Sequence, residues 1–201
     1  PREDSTDLLP SADTLQDDLT HSPEDQGDLS DHNSIDVVED TADGTISVLR
    51  PLIDHDYWLP TPPEEDPFST ERPSELICPE DAYWTEELGG AYVFELATLS
   101  CNYGSFSQPS LISVNEGDVL EFLLFHYELT ATMDAEAHAA VVLGEDIIWD
   151  IRIEIPADSN MEIGYFTLEK SYAEGTPVHF HLHNHGANEW AFVGINVYSS
   201  N

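Results

Sequence analysis

The sequence predicts an all-β protein, a single eight-stranded antiparallel β-sandwich of the jelly-roll or Greek-key type that follows an extended acidic tail. Two observations predict this class. Between residues 92 and 197, eight short runs of strand-forming residues alternate with turn residues, and helical periodicity is nearly absent. Residues 1–75, by contrast, are rich in Asp, Ser, Thr and Pro and sustain no apolar period. The predicted organisation is therefore a tail over 1–75 and a sandwich domain over 76–201.

Nine of the 13 prolines lie in the tail and a tenth follows at position 79, and repulsion among the tail's like charges should extend it. An alternating, strand-like island at 46–49 and an apolar cluster at 57–59 interrupt it. Two interpretations stay open. The tail is a spacer, or Ile46, Val48 and Leu49 add a strand to the sheet edge of a neighbouring molecule.

The sandwich strands are expected at 92–99, 111–114, 119–129, 137–143, 147–155, 161–168, 178–183 and 189–197. In 147–155, Trp149 shares one face with four isoleucines, which predicts a half-buried strand with that face in the core. The strand 119–129 is apolar on both faces, so we expect it to be central and covered.

The charge excludes several classes of function. The chain has 41 Asp and Glu residues against 5 Lys and Arg, a formal net charge of −36. A nucleic-acid binder that neutralises phosphates is excluded, and docking on anionic membranes is disfavoured. No apolar run approaches the roughly 20 residues of a membrane-spanning helix. Loosely bound calcium is expected at the carboxylate clusters, although no EF-hand-type loop is present.

Two cysteines, Cys78 and Cys101, indicate the compartment. No CxxC motif exists, so a disulfide between them is favoured over two free buried thiols, and its loop closure is worth about 3 kcal/mol. The expected disulfide, the acidic spacer, the single lysine and a first residue other than Met together predict an exported, processed protein at the cell surface or outside the cell.

One strand carries an unusual histidine pattern. On 178–183 and the residues after it, His179, His181, His183 and His185 face one side, and the apolar residues between them face the core. Neighbouring histidines of this row lie about 6.7 Å apart, so one pair can share a copper or zinc ion, whereas all four cannot. The candidate additional ligands are Glu189, His126 and His138. The alternatives are a half-exposed row that titrates near pH 6.5 or stacks under the tail, with His126 and His138 as core histidines.

Two metalloprotein families have related motifs. The run HFHLHNHG resembles the histidine-rich strand of multicopper oxidases and other cupredoxin-like domains, and SVNEGDVLEF is similar to a strand entry of those domains. The cysteine ligand of a type 1 copper site is missing. The HxH and following Glu189 are similar to cupins, but the intervals differ from the cupin motif, which argues against a cupin enzyme.

The whole chain resembles secreted or lipid-anchored surface proteins of Gram-negative bacteria, of the myxobacterial kind, which combine an Asp-rich spacer with a small disulfide-bearing sandwich. Its ending, GANEWAFVGINV, is similar to the last strand of galactose-binding-like jelly rolls. These resemblances imply display outside the cell and binding rather than a reaction.

The sequence therefore predicts a non-enzymatic protein, because it has neither a G-x-S-x-G nucleophile motif nor a phosphate loop. The first prediction of its role is a structural or adhesive subunit that assembles, through its tail and a sheet edge, with copies of itself or with another surface protein. The alternatives are a copper- or zinc-binding module that uses the histidine strand, and a carbohydrate-binding module. In the second, the candidate residues for stacking on sugars are Tyr83-Trp84, Tyr57-Trp58, Trp149 and Trp190, each of which could instead pack in the core.

Overall fold

The computed structural model describes residues 37–39 and 46–199, with side chains from Leu49 onward. Within these residues twelve strands form two antiparallel sheets, and helix is limited to three 3₁₀ turns, His55–Tyr57, Ser69–Glu71 and Glu80–Ala82. The described part contains no helix long and apolar enough to cross a membrane. The predicted class, an all-β antiparallel sandwich, is confirmed, whereas the predicted strand number of eight is too low.

Sheet I has seven strands: β1 (Val37–Glu39), β2 (Ile46–Pro51), β4 (Tyr83–Leu88), β5 (Ala91–Ala97), β7 (Val119–His126), β10 (Asn160–Thr167) and β12 (Glu189–Tyr198). Strand β12 lies in its middle. It pairs with β7 along one side, and β7 continues the sheet to β10. Along its other side β12 pairs first with β5 and then with β2. Strand β4 pairs with the outer edge of β5, and β1 pairs with β2.

Sheet II has five strands in the spatial order β3 (Leu59–Pro60), β6 (Tyr103–Pro109), β11 (Pro177–Asn184), β8 (Ala135–Leu143) and β9 (Asp146–Ile155). The histidine strand β11 is therefore central, and β6 and β8 cover both of its edges. A central strand in an antiparallel sandwich has one face in the core, which accounts for the alternation of apolar residues and histidines along β11.

Aromatic rings fill the core between the sheets. Phe180 of β11 stacks on Phe192 of β12 with centroids 4.4 Å apart, and Trp149 of β9 stacks on Phe122 of β7 at 5.5 Å. Gly164 of β10 makes room for the indole of Trp149, because a Cβ there would lie 2.3 Å from its Nε1. Burial of this apolar surface is the main stabilising contribution to the sandwich.

Residues 49–75 belong to the sandwich, so the predicted boundary at 76 lies too far along the chain. Leu52 and Ile53 are buried in the core, and Trp58 packs against Phe94, Phe180 and Phe192. The prolines of this segment indicated a spacer. Proline is equally compatible with an extended chain that crosses from one sheet to the other, and this is how the segment runs from β2 to β3.

The strand predicted at 46–49 is present as β2, but its partner is in the same chain. Leu49 and Arg50 pair with Tyr198 and Val197 of β12. The side chains of Ile46 and Val48, and residues 1–36, lie outside the described residues. The prediction that this strand extends a neighbour's sheet is therefore replaced by a pairing within sheet I.

Three other strand predictions differ from the structure. Strands β1, β3, β4 and β6 were not predicted; two glutamates interrupt β4, and β6 is rich in Gly, Ser and Gln. The segment 111–114 is not a strand and contributes one isolated bridge, from Val114 to Tyr172. Strand formation depends on the partners that a segment meets in the sheet more than on its own composition.

The isoleucines of β9 do not all share the face of Trp149. The pairing with β8 shifts between Val141 and Val142, and this bulge leaves Ile148 buried and Ile147 more than half exposed. A β-bulge adds one residue to one strand and so reverses the alternation beyond it.

The predicted disulfide is confirmed. Cys78 and Cys101 are bonded, and the bond ties the segment before β4 to the turn before β6. Cys101 is fully buried and both residues belong to the main core cluster or pack on it.

Candidate functional site

The histidines of β11 face outward from sheet II as predicted, but the strand is covered. A covering segment, residues 61–72, lies over this face, and its Phe68 ring stacks on the imidazole of His181 at 4.5 Å. His179 and His181 are consequently buried, with 8% and 1% of their surface exposed. The alternative that the histidines stack under the preceding segment thus agrees with the structure for these two residues.

Asp66 fixes the covering segment to sheet II. Its carboxylate accepts hydrogen bonds from Arg72 Nε at 2.7 Å, from the Tyr103 hydroxyl at 2.7 Å and from the Ser105 hydroxyl at 3.0 Å. The backbone N–H of Phe68 donates a fourth. Burial alone would raise the pKa of Asp66, but the bonds from Arg72 and the other donors outweigh it and hold the pKa below its usual value.

The other predicted metal ligands are dispersed. His183 and His185 form a separate pair near the surface, with ring centroids 4.7 Å apart, and His185 lines a cleft of about 580 Å³ bounded by 130–135 and 185–187. Glu189 begins β12 and therefore lies in sheet I, in the opposite layer from the histidines. The structure does not bring these residues to one centre with His179 or His181.

His181 instead meets two residues from other elements. One ligand atom each of Glu71, His138 and His181 lies within 4.8 Å of the others. His138 Nδ1 is 3.0 Å from Glu71 Oε2, and its Nε2 is 3.2 Å from Asp150 Oδ2. Sequence reasoning had named His138 as an additional ligand. Glu71 was not identifiable, since it lies in the segment that was assigned to the tail.

His126 is a core histidine. It is 1% exposed, its Nδ1 is 2.8 Å from the carbonyl of Tyr127, and its ring packs on Trp190. The interpretation of His126 as a hydrogen-bonded residue of the core agrees with this position.

The outer face of sheet I carries a second set of candidate residues, which we call the aromatic face. It consists of aromatic and apolar side chains that point away from the core on β4, β7, β10 and β12 and just after β7: Trp84, Leu123, Phe125, Tyr127, Met161, Ile163, Tyr165 and Tyr198. Tyr165 is 65% exposed, Ile163 54% and Tyr127 40%.

One end of the aromatic face is a row of paired residues that runs across the strands of sheet I. Pairing places Trp84 beside Glu95, Glu95 beside Ala191, Ala191 beside Phe125 and Phe125 beside Met161. The row crosses five strands and so spans about 19 Å. Tyr127 extends it, because its ring meets that of Phe125 edge-to-face at 5.0 Å.

Hydrogen-bonding groups lie among the aromatic rings. Glu121 accepts bonds from the hydroxyls of Tyr165 and Tyr198 and from the amide of Asn196, at 2.9 to 3.2 Å. At the other end, Trp84 Nε1 donates to Glu86 at 2.8 Å. These contacts hold the exposed rings in fixed orientations beside carboxylate oxygens.

Glu95 is a buried carboxyl beneath this face. Burial, together with repulsion from Glu86 and Glu189, raises its pKa to about 7. In the unfolded chain a glutamate has a pKa near 4.5. Between these two values the folded protein binds more protons than the unfolded chain, so this residue makes stability fall as the pH rises from 4.5 to 7.

We therefore expect Glu95→Gln to stabilise the protein by about 2 kcal/mol at pH 8 and by much less at pH 4.5, because glutamine has no charge to bury. Urea unfolding of variant and wild type at both pH values measures this difference. Glu87→Gln, on the exposed part of neighbouring β4, is the matched control and should change stability little at either pH. An equal gain from both variants would show that general charge reduction, rather than burial of Glu95, is responsible.

Sequence reasoning named Trp84 as a residue that could stack on sugars but missed the rest of the aromatic face, for an identifiable reason. It predicted β7 to be covered because both of its faces are apolar. The structure leaves Leu123 and Phe125 partly exposed. A strand that is apolar on both faces was the available signal, and it indicates either a covering layer or a binding surface.

No protein-family model matches the chain, and no curated protein sequence matches it. Many solved structures resemble it, and three of them serve as examples. TmCBM61, in complex with β-1,4-galactotriose, is 12% identical over 75% of this chain and 99% of its own, with a TM-score of 0.42. The carbohydrate-binding module TmCBM27, from a study of specific mannan recognition, is 9% identical over 77% and 98%, with a TM-score of 0.46. The module CBM6cm-2 from Cellvibrio mixtus lichenase 5A, in complex with cellotriose, is 12% identical over 62% and 92%, with a TM-score of 0.32.

Proposed function

We propose that this protein is a non-catalytic, exported carbohydrate-binding protein that holds a neutral glycan on the aromatic face of sheet I. The observation that supports this most directly is the aromatic face itself, where exposed aromatic rings lie beside carboxylates and an amide. The alternative of a carbohydrate-binding module is thereby preferred to the structural or adhesive subunit, whose assembly through its N-terminal tail and a sheet edge stays a prediction.

The chemistry of a sugar ring matches this surface. One face of a pyranose presents C–H groups, which stack on aromatic rings, and its edge presents hydroxyls, which donate to carboxylates. Trp84 and Tyr127 offer rings at one end of the face, and Tyr165 offers one at the other. Phe125 and Glu121 lie four residues apart on β7, which separates the two ends by about 13 Å along the strand. An oligosaccharide of several sugars can therefore contact both.

The charge of the protein selects among glycans. A net charge of −36 repels uronic-acid and sulfated polysaccharides, and carboxylates lie within the aromatic face itself. Sugar hydroxyls, which are uncharged donors, are the groups that these carboxylates can bind without repulsion. Neutral polysaccharides are thus the expected ligands.

We expect Trp84→Ala and Tyr165→Ala each to weaken glycan binding by about tenfold or more, because each removes one stacking surface. Affinity electrophoresis against a glucan, a xylan, a mannan and a galactan identifies the ligand, and calorimetry with its oligosaccharide gives the dissociation constants. Pectate is the charged comparison and should not retard the protein.

Tyr57→Ala is the matched control, since Tyr57 is also about half exposed but lies in a 3₁₀ turn outside the aromatic face. Its affinity should equal that of the wild type. Wild-type protein that none of the four neutral polysaccharides retards, or an equal loss in the Tyr57 variant, would contradict the proposal.

A further inference from the structure

We propose that Glu71, His138 and His181 bind one divalent transition-metal ion, of the class that Zn²⁺ represents, on the outer face of sheet II. Each residue offers one ligand atom, and the three atoms lie within 4.8 Å of one another. The residues come from the covering segment, β8 and β11, which only the tertiary structure brings together. This site is independent of the aromatic face, because it lies on the other sheet.

His181 supplies the first argument. Its ring is 1% exposed, and neither ring nitrogen makes a hydrogen bond of full geometry within the described residues, although the backbone of Gly104 lies close to the ring. Buried polar groups without a partner are rare, and each calls for an explanation. A neutral imidazole has one unprotonated nitrogen, whose lone pair binds a metal ion.

His138 is oriented as a metal ligand would be. Its Nε2 lies 3.2 Å from Asp150, which can hold the ring proton on that nitrogen. In that tautomer Nδ1 presents its lone pair to an ion held jointly with Glu71, whose Oε2 lies 3.0 Å away. A carboxylate that holds the distal nitrogen of a ligating histidine is a common arrangement around zinc, and it fixes the tautomer.

The spacing allows a metal to enter with small movements. Tetrahedral bonds of 2.0 to 2.1 Å place ligand atoms about 3.3 Å apart. The Glu71 and His138 atoms are already at 3.0 Å, and contraction of the widest separation, at most 4.8 Å, amounts to about 1.5 Å. Three protein ligands leave one tetrahedral position for water.

The local charge also favours a cation. Glu71, Asp150 and Glu136 surround the site, and Arg152 is the positive group beside them. Its guanidinium lies 3.6 Å from Glu71 and 3.4 Å from His138 Nδ1. Arg152 therefore competes with the ion for the same groups, and its side chain, about half exposed, is able to turn toward solvent.

The test is a calorimetric titration of the metal-stripped full chain with ZnCl₂. Physiological ionic strength and excess Mg²⁺ suppress loose binding to the many carboxylates. We expect one saturable ion per chain. Glu71→Gln and His181→Ala should weaken binding by about a hundredfold, and Asp150→Asn by about tenfold, the range seen when outer-shell partners are removed. Arg152→Gln should strengthen binding several-fold, because it removes the competing charge.

The control is His185→Ala, which removes a histidine of the exposed pair and should leave the affinity unchanged. Glu71→Gln keeps the test valid if His181→Ala does not fold, since the Glu71 side chain is one-third exposed. A visible absorption band from bound Co²⁺ that disappears in Glu71→Gln confirms direct ligation. Absence of saturable Zn²⁺ binding, or binding that His185→Ala abolishes and Glu71→Gln does not, overturns the proposal.

Discussion

A chain shortened to begin at Ser74 is expected not to fold. The deletion removes Leu52, Ile53 and Trp58 from the main core and Phe68 from the smaller cluster above the histidine strand. Loss of a buried tryptophan alone costs about 3–5 kcal/mol, and loss of a buried leucine about 2–5 kcal/mol. Together these losses equal the whole free energy of unfolding of an ordinary domain, which is about 5–15 kcal/mol.

A chain beginning at Ile35 is the matched control, because it keeps every described strand and the entire core. We expect it to give the sheet signal in circular dichroism and a cooperative thermal transition close to that of the full chain. The shorter chain should give neither and should be insoluble. A cooperative transition of the chain that begins at Ser74 would restore the domain boundary that the sequence indicated.

Asp66→Asn is expected to destabilise the protein by about 3 kcal/mol, as is typical when one partner of a buried ion pair is removed. The Asp66 side chain is fully buried and accepts from Arg72, Tyr103 and Ser105 at once. An asparagine has one acceptor oxygen, and its amide group meets donors rather than acceptors. The loss should release the covering segment and expose His181.

Asp146→Asn is the control with the same kinds of partner at the surface. Asp146 also binds one cation and one tyrosine hydroxyl, those of Lys170 and Tyr172, but its side chain is 43% exposed. Exposed pairs contribute at most about 1 kcal/mol. Urea unfolding at pH 7 measures both variants. Equal effects would show that burial does not strengthen the Asp66 cluster.

The loss of stability in Asp66→Asn is expected to depend on pH and to become smaller at low pH. The pKa of Asp66 in the folded protein is lower than its ordinary value of 3.8. Its contribution is therefore complete above about pH 4 and is lost as the pH falls through the folded pKa. The difference in stability between wild type and Asp66→Asn should shrink below pH 4. A difference that stays constant from pH 7 to pH 3 would mean that the carboxylate charge has no part in it.

The sequence determined by itself the fold class and the direction in which the histidines face. Alternation along 178–183 places Val178, Phe180 and Leu182 in the core, so the histidines point outward, since side chains alternate on any strand. The acidity, the disulfide partners and the all-β class depend likewise on composition and local pattern. The positions of these features were therefore predictable without knowledge of which strands pair.

Which residues meet depends on the arrangement of the strands and the covering segment. Glu71 reaches His138 and His181 because the covering segment folds back over β11, and Glu189 leaves them because β12 belongs to the other sheet. The exposure of Phe125 depends likewise on tertiary structure, because no layer within residues 46–199 covers it, whereas the local pattern had indicated one. Contacts between segments distant along the chain depend on strand order and on what covers each face, and the alternation within a strand carries no information about either.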